Sequence, residues 1–320
     1  MKRNLLYLIC SIATPLLYSS CYVDLDLEPQ RPNTSIVVNS IISTDQNAAA
    51  HIGKTVFYTD RYRPASPIQN TSVEITVNQG TPQRLKEVAN EEDDRKNNVL
   101  FLSEYMAKTG DRIRLDVTAE NGDHVWAEDV MPQKTLIEKV DTTIGARTDQ
   151  YSRAINYHIT FTDNPNEKNY YFLHVLPTNG RINNDIEFGK EDVFRQNNSA
   201  LELLSDEVIL DGRYGMAFSD ELINGKTYTL RVSEIAYAST FDYRADRTIR
   251  LYSITESYYR YLLGIFNKKT DGSDEEMVNA GLAEPSPHYT NIQGGVGILG
   301  LMQIDEKTIN VGSDEEPYWY

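Results

Sequence analysis

The sequence predicts a mainly β protein: an immunoglobulin-like or transthyretin-like β-sandwich, followed by a larger β-rich domain with one helix. Three observations lead there. Apolar and polar residues alternate with period two through many short runs, turn residues separate those runs, and tyrosine is abundant, at 21 of 320 residues. Alternation places one face of a strand in a core and the other in solvent. Tyrosine and the β-branched residues fit such half-buried pleated surfaces.

Seven strands are expected before Pro132, near 34–43, 49–58, 72–78, 83–89, 98–104, 111–119 and 123–131. Val73, Ile75 and Val77 alternate with Ser72, Glu74 and Thr76, and Ile113, Leu115, Val117 and Ala119 with Arg112, Arg114, Asp116 and Thr118. Turns are expected at Asn78-Gln79-Gly80, Thr109-Gly110-Asp111 and Asn121-Gly122-Asp123. Seven short strands in about 100 residues is sandwich spacing. The Cys…Trp…Cys signature of true immunoglobulin domains is absent, so the prediction concerns architecture alone.

Beyond Pro132 the strands lengthen. Ile155, Tyr157, Ile159 and Phe161 alternate with Asn156, His158 and Thr160, and the nearly continuous apolar run Asn169 to Leu176 reads as a central strand. Asn224-Gly225 reads as a hairpin turn before Tyr228, Leu230 and Val232. One helix is expected from about Thr255 to Lys268. Ser253 and Glu256 have capping-box spacing, Tyr258, Tyr261, Leu262, Ile265 and Phe266 share a face, and Lys268 and Lys269 suit the negative end. The polar stretch from Thr178 to Asn198 reads as a long loop.

The N-terminus reads as an export signal. Lys2 and Arg3 precede the apolar stretch Leu5 to Leu17, then Ser19, Ser20 and Cys21. That stretch is too short to cross a bilayer core, which needs about 20 residues. Leu17-Tyr18-Ser19-Ser20-Cys21 resembles a bacterial lipobox, in which a cysteine becomes the lipidated N-terminus, although Tyr18 stands where leucine is usual. The alternative is ordinary cleavage with Cys21 an incidental thiol. The expected layout is therefore a signal over 1–20, an acidic lipidated tether over 21–32, a sandwich domain over 33–132 and a β-rich domain over 133–320. Cys10 leaves with the signal, so the mature chain holds no internal disulfide.

The full chain carries 31 basic and 47 acidic residues, a net charge of −16. The signal takes two basic residues and no acid with it, which leaves −18. Such a balance disfavours nucleic acid as a partner and anionic lipid as a holdfast, so the acyl chain is expected to hold the protein on the membrane. Asp24, Asp26 and Glu28 in the tether loosely resemble an acidic tag that sends lipoproteins to the outer face of the outer membrane. They read equally as a solvated linker.

No chemical motif stands out. Gly295-Val296-Gly297-Ile298-Leu299-Gly300 matches GxGxxG literally, yet it follows a proline-rich turn (Pro285, Pro287) and precedes a strand-like run rather than a helix. Its glycines read better as close backbone approach, a bulge or a bend entering a strand. His51, His124, His158, His174 and His288 show no metal-ligand spacing. The acidic runs Glu91 to Asp94, Asp274 to Glu276 and Asp314 to Glu316 read as solvated loops, and Asp271-Gly272-Ser273-Asp274 lacks the calcium-loop pattern. The tyrosines, Tyr157 and Tyr228 among them, read first as sheet packing and second as a sugar- or peptide-stacking surface. The aromatic end Pro317-Tyr318-Trp319-Tyr320 reads as docking on the chain's own core or on a partner.

Several segments together resemble one family. They are the lipobox Cys21, the strand Ile36 to Ile42, the run Ala127-Glu128-Asp129-Val130-Met131-Pro132, and Phe218-Ser219-Asp220 through Asn224-Gly225-Lys226-Thr227-Tyr228. The helix start Ser253-Ile254-Thr255-Glu256 and the glycine-rich Asn291 to Gly300 complete the set. With them the chain resembles an uncharacterised lipoprotein family of Bacteroidota, domain of unknown function 4249, over nearly the whole mature length. The family brings no catalytic residues. Its members often neighbour TonB-dependent outer-membrane receptors, which implies an accessory role.

The function expected is therefore that of a non-catalytic outer-membrane lipoprotein, accessory to a TonB-dependent receptor in nutrient uptake or envelope assembly, with a glycan or peptide as the ligand class. Cys21 is the one expected site residue, for lipid attachment; no catalytic, metal or cofactor residue is assigned and no cofactor is expected. Two alternatives stand beside it, a structural or adhesion lipoprotein and a hydrolase acting on glycans or peptides.

Overall fold

A computed structural model of the chain describes residues 33–56, 68, 70–88, 99–147, 152–177, 185–188, 191–195, 209–210, 213–237, 246–270 and 289–310. The chain is mainly β, as predicted. The first half carries β1 (Ile36–Ser43), β2 (Asn47–Lys54), β3 (Ser72–Val77), β4 (Gln83–Arg84), β5 (Lys86–Val88), β6 (Val99–Met106), β7 (Arg112–Thr118) and β8 (His124–Val130). The second half carries β9 (Ile137–Arg147), β10 (Ser152–Thr162), β11 (Tyr170–Pro177), β12 (Asp185–Glu187), helix α1 (Asp192–Arg195), β13 (Ile209–Leu210), β14 (Arg213–Ser219), β15 (Thr227–Tyr237), β16 (Asp246–Ile254), helix α2 (Glu256–Thr270) and β17 (Val296–Asn310).

The described strands form three sheets. A nine-stranded sheet runs β13-β14-β11-β16-β17-β1-β2-β6-β5, and two four-stranded sheets run β12-β15-β10-β9 and β4-β3-β7-β8. The last described strand, β17, lies inside the large sheet. Its first half pairs parallel with β1, Val37 opposite Val296 through Ser43 opposite Met302. Its second half pairs antiparallel with β16, Ile254 opposite Met302 through Asp246 opposite Asn310. One strand thus joins the elements before Pro132 to those after it.

Two hydrophobic clusters fill the molecule. One joins β1, β2 and β6 to β3, β7 and β8 through Val38, Ile52, Phe101, Ile75, Leu115 and Val125. The other joins β10 and β15 to β11, β14 and β16 through Tyr157, Phe161, Phe172, Phe218, Leu230 and Leu251. β17 contributes Leu299 and Leu301 to the first and Ile298 to the second. The alternation read from the sequence holds: Val73, Ile75, Ile113, Leu115 and Val117 are buried while Ser72, Glu74, Arg114 and Asp116 are only partly so.

Several local expectations are corrected. The run expected over 83–89 is two short strands, because Leu85 turns inward between them; β4 pairs with β3, whereas β5 pairs with β6 in the other sheet. Asn224-Gly225 is a turn, with Gly225 at φ 69°, but not a hairpin, since β14 and β15 belong to different sheets. By contrast, Asn78-Gln79 is a hairpin turn with both residues at positive φ, the primed geometry that matches strand twist. The cap of α2 is also displaced. Tyr259 N–H donates to the Thr255 carbonyl, which makes Thr255 the N-cap, while the Ser253 hydroxyl accepts from Thr135 N–H across the molecule. The face α2 buries most deeply is Tyr258, Tyr259 and Leu262.

Candidate functional site

Cys21, the one site residue expected from the sequence, lies outside the described residues, as do the whole signal and tether. So do His288, the three acidic runs, Asp271 to Asp274, Pro285, Pro287 and the aromatic end from Pro317.

The glycine-rich segment is described, and geometry explains it. It opens β17, not a helix. A Cβ on Gly297, at φ 112°, would lie 2.0 Å from the Val38 carbonyl oxygen. One on Gly295 would lie 2.8 Å from the Ile36 carbonyl oxygen, and one on Gly300 2.8 Å from the Tyr258 ring and 2.9 Å from Ile41. β1 approaches β17 and α2 crosses it more closely than a side chain allows. Asn291 fastens the preceding turn: its amide accepts from Leu299 N–H and donates to Leu299 C=O, both at 2.9 Å.

The stretch from Thr178 to Asn198 is more ordered in its described part than a loop. It contributes β12 to the sheet beside β15, and Phe188, Val193 and Phe194 enter the core. Glu191 is buried at the start of α1, where it accepts from the Tyr228 hydroxyl (2.7 Å) and Arg231 Nε (2.8 Å). Burial and the bond to Glu191 push the Tyr228 hydroxyl up to about 12.

Two clusters of buried polar side chains were not legible in the sequence. In the first, Arg247 of β16 donates to Glu234 of β15 through Nε and Nη2, and the Tyr157 hydroxyl of β10 donates to the same carboxylate. Burial, then the Glu234 charge, raises the Tyr157 hydroxyl far above its ordinary range. In the second, Asp163 accepts from the Tyr171 hydroxyl (2.5 Å) and Gly225 N–H (2.8 Å), while Asp220 accepts from Asn169 N–H (2.7 Å). Burial raises the Asp220 carboxyl, and the nearby Asp163 charge raises it further. Asp163 and Asp220 are neighbouring carboxylates, the charge of one acting on the other. Their oxygens accept from the Tyr171 hydroxyl and from the backbone N–H groups of Asn169 and Gly225, and both residues are almost fully enclosed.

The outer face of β7 and β8 presents a different chemistry. The Arg114 guanidinium stacks 4.1 Å from the ring centroid of half-buried Trp126 and holds Asp116 through two bonds of 2.8 Å. His124 Nε2 meets the same carboxylate at 2.9 Å. Burial opposes ionisation of Asp116, but the bonds from Arg114 and His124 prevail and hold its carboxyl below the ordinary range. The period-two pattern placed Arg114 and Asp116 on the polar face; nothing in it marked Trp126 as their neighbour. Of the other histidines, His51 is exposed, His158 is half-buried, and His174 is buried edge-on against Phe172 and Tyr252. Tyr157 lies in the core and Tyr228 is half-buried against it.

Among the described residues no group of three His, Cys, Asp or Glu side chains could hold a metal ion, and no helix is long and apolar enough to cross a membrane. The model of a family described as a domain of unknown function (DUF4249) matches residues 22–308. None of the curated proteins matches the chain.

Proposed function

The chain belongs to the DUF4249 family, whose model covers nearly all of it, and on that premise we propose that it is a non-catalytic lipoprotein of the outer membrane, an accessory to a TonB-dependent receptor in nutrient uptake or envelope assembly. The observation that carries the proposal is Cys21, which follows a basic start, a short apolar stretch and two small residues, and begins an acidic tether. Acyl chains there supply about 0.8 kcal/mol per buried CH₂, so more than one chain anchors stably. A binding role is supported by the way the buried titratable groups are used. Glu191, Glu234, Asp163 and Asp220 are bonded to side chains and backbone of the second half itself, which fits a rigid scaffold.

The test is purification of the native lipoprotein from its own membranes in several mild detergents, beside a variant that begins at Tyr22 behind an ordinary cleavable signal. The proposal requires that an outer-membrane receptor co-purifies with the native protein and that the variant leaves the membrane fraction. Recovery without any barrel protein in every detergent counts against the accessory role. A variant that stays in the membrane counts against the anchor.

A further inference from the structure

We infer that the protein stands end-on to a lipid bilayer, with the end where β1 begins as the lipid-facing surface and the second half held away from the membrane; this rests on the anchoring at Cys21 proposed above. The argument is one of strand direction. The described chain starts at Asn33, three residues before β1, so the tether enters at the start of that strand. β17 runs parallel to β1 and starts beside it, with Val296 opposite Val37. The end of β2 and the turn between β7 and β8 lie at the same end: Lys54 is opposite Ile36, and a Cβ on Gly294 would lie 3.2 Å from the His124 carbonyl oxygen.

From that end β17 continues for 15 residues, which at about 3.3 Å per residue is about 50 Å. The second half is arranged along its far portion. β16 returns antiparallel from Asp246, opposite Asn310, to Ile254, opposite Met302. β11 ends at Pro177 opposite Arg247, and the Arg247–Glu234 ion pair brings the end of β15 to the same level. Ile137 N–H donates to Asp305 at 2.8 Å, so β9 starts midway along β17. The strands of the second half therefore lie along the portion of β17 farthest from the tether, while α2 packs nearer to it, with Tyr258 at Gly300.

The tether end also exposes apolar side chains, beside the acidic turn residues Glu120 and Asp123. Val56, two residues past β2, and Val296, opposite Val37, are exposed at 39% and 36% on either side of the start of β1. Trp126, joined to Gln293 by backbone bonds, carries the Arg114 guanidinium on its ring. The Arg114 charge is paired with Asp116, so it is the amphipathic ring that suits the boundary between headgroups and hydrocarbon. The occupant is the bilayer, because the chain that leads back to Cys21 enters the described fold at this end.

With Cys10 removed in the signal and Cys21 acylated as proposed, a new cysteine takes a fluorophore alone. The experiment places donors on Lys54→Cys and Thr308→Cys in the full lipoprotein, reconstituted in phosphatidylcholine vesicles with an acceptor on the headgroups. Both positions are exposed. Several-fold more energy transfer is expected from position 54 than from 308. Equal transfer, greater transfer from 308, or none from either overturns the end-on arrangement. The same pair on a chain that begins at Tyr22 behind an ordinary cleavable signal, with neither Cys10 nor Cys21, separates the two claims. Transfer lost from both positions supports the anchor. Transfer that persists with the same order overturns the anchor and leaves the lipid-facing end standing.

Discussion

Arg247 and Glu234 form an ion pair sealed from solvent, with their side chains 0% and 2% exposed and three N–H to oxygen contacts between 2.8 and 3.2 Å. They belong to different sheets, β16 and β15, so the pair clamps the large sheet to the sheet packed against it. Tyr157, from a third strand, completes the carboxylate's hydrogen bonding.

Removing one member of such a pair leaves a buried charge without its partner. Arg247→Met is therefore expected to destabilise the protein by about 3–5 kcal/mol. The double variant Arg247→Met with Glu234→Leu removes both charges and is expected to recover most of that loss. Denaturant unfolding of the three proteins checks the sign of the coupling. A double variant no more stable than Arg247→Met refutes the account.

Gly297 tests the contact between β1 and β17. A Cβ there would overlap the Val38 carbonyl oxygen, and the residue sits at φ 112°. Gly297→Ala is expected to cost more than about 4 kcal/mol or to prevent folding. Gly110 also has positive φ, 80°, but open space around its Cα, so Gly110→Ala is expected to cost about 1–2 kcal/mol. Thermal unfolding compares them, and equal losses would show that φ alone matters.

Asn291 makes two bonds to one residue, so its variants separate them. Asn291→Ala is expected to cost about 1–3 kcal/mol. Asn291→Asp keeps the acceptor for Leu299 N–H but turns a second oxygen towards Leu299 C=O, and is expected to be no more stable than the alanine variant. An aspartate variant as stable as wild type would show that the donor half contributes nothing.

Asp220 predicts a pH dependence. Burial first, and the Asp163 charge with it, raise its carboxyl above the ordinary range. Between the unfolded value, about 4, and the raised folded value, the folded state binds more protons than the unfolded state. Stability therefore falls as pH rises through that window. Asp220→Asn stays neutral throughout. It is expected to gain relative to wild type as pH rises through the window, and to match it near pH 3. Melting temperatures measured from pH 3 to 8 read the difference, and a constant offset would refute the assignment.

Much of the fold is legible one strand at a time. Val73 and Ile75, or Ile113, Leu115 and Val117, announce their buried faces because the side-chain period of a strand is two. The GxGxxG segment was legible too as close approach, since nothing around it suited a dinucleotide. The candidate clusters were not. Asp163 and Gly225 lie 62 residues apart, and Tyr157 and Glu234 lie 77 apart, so no local pattern marks them as partners. Ser253 and Glu256 had the spacing of a capping box, yet Thr135 claimed the serine hydroxyl from 118 residues away.

By itself, the sequence determined the mainly β class, most strand positions, the acidic balance and the expectation of a lipidated Cys21, because each follows from local periodicity, composition or a short contiguous motif. Only the tertiary structure decided that the final described strand is inserted between β1 and β16, that Asn224-Gly225 bridges two sheets, and that four buried acids are committed to internal partners. Backbone hydrogen bonding is nearly indifferent to which strand supplies it. Strand order is set by how the apolar faces close over one another and by where glycines let backbones touch.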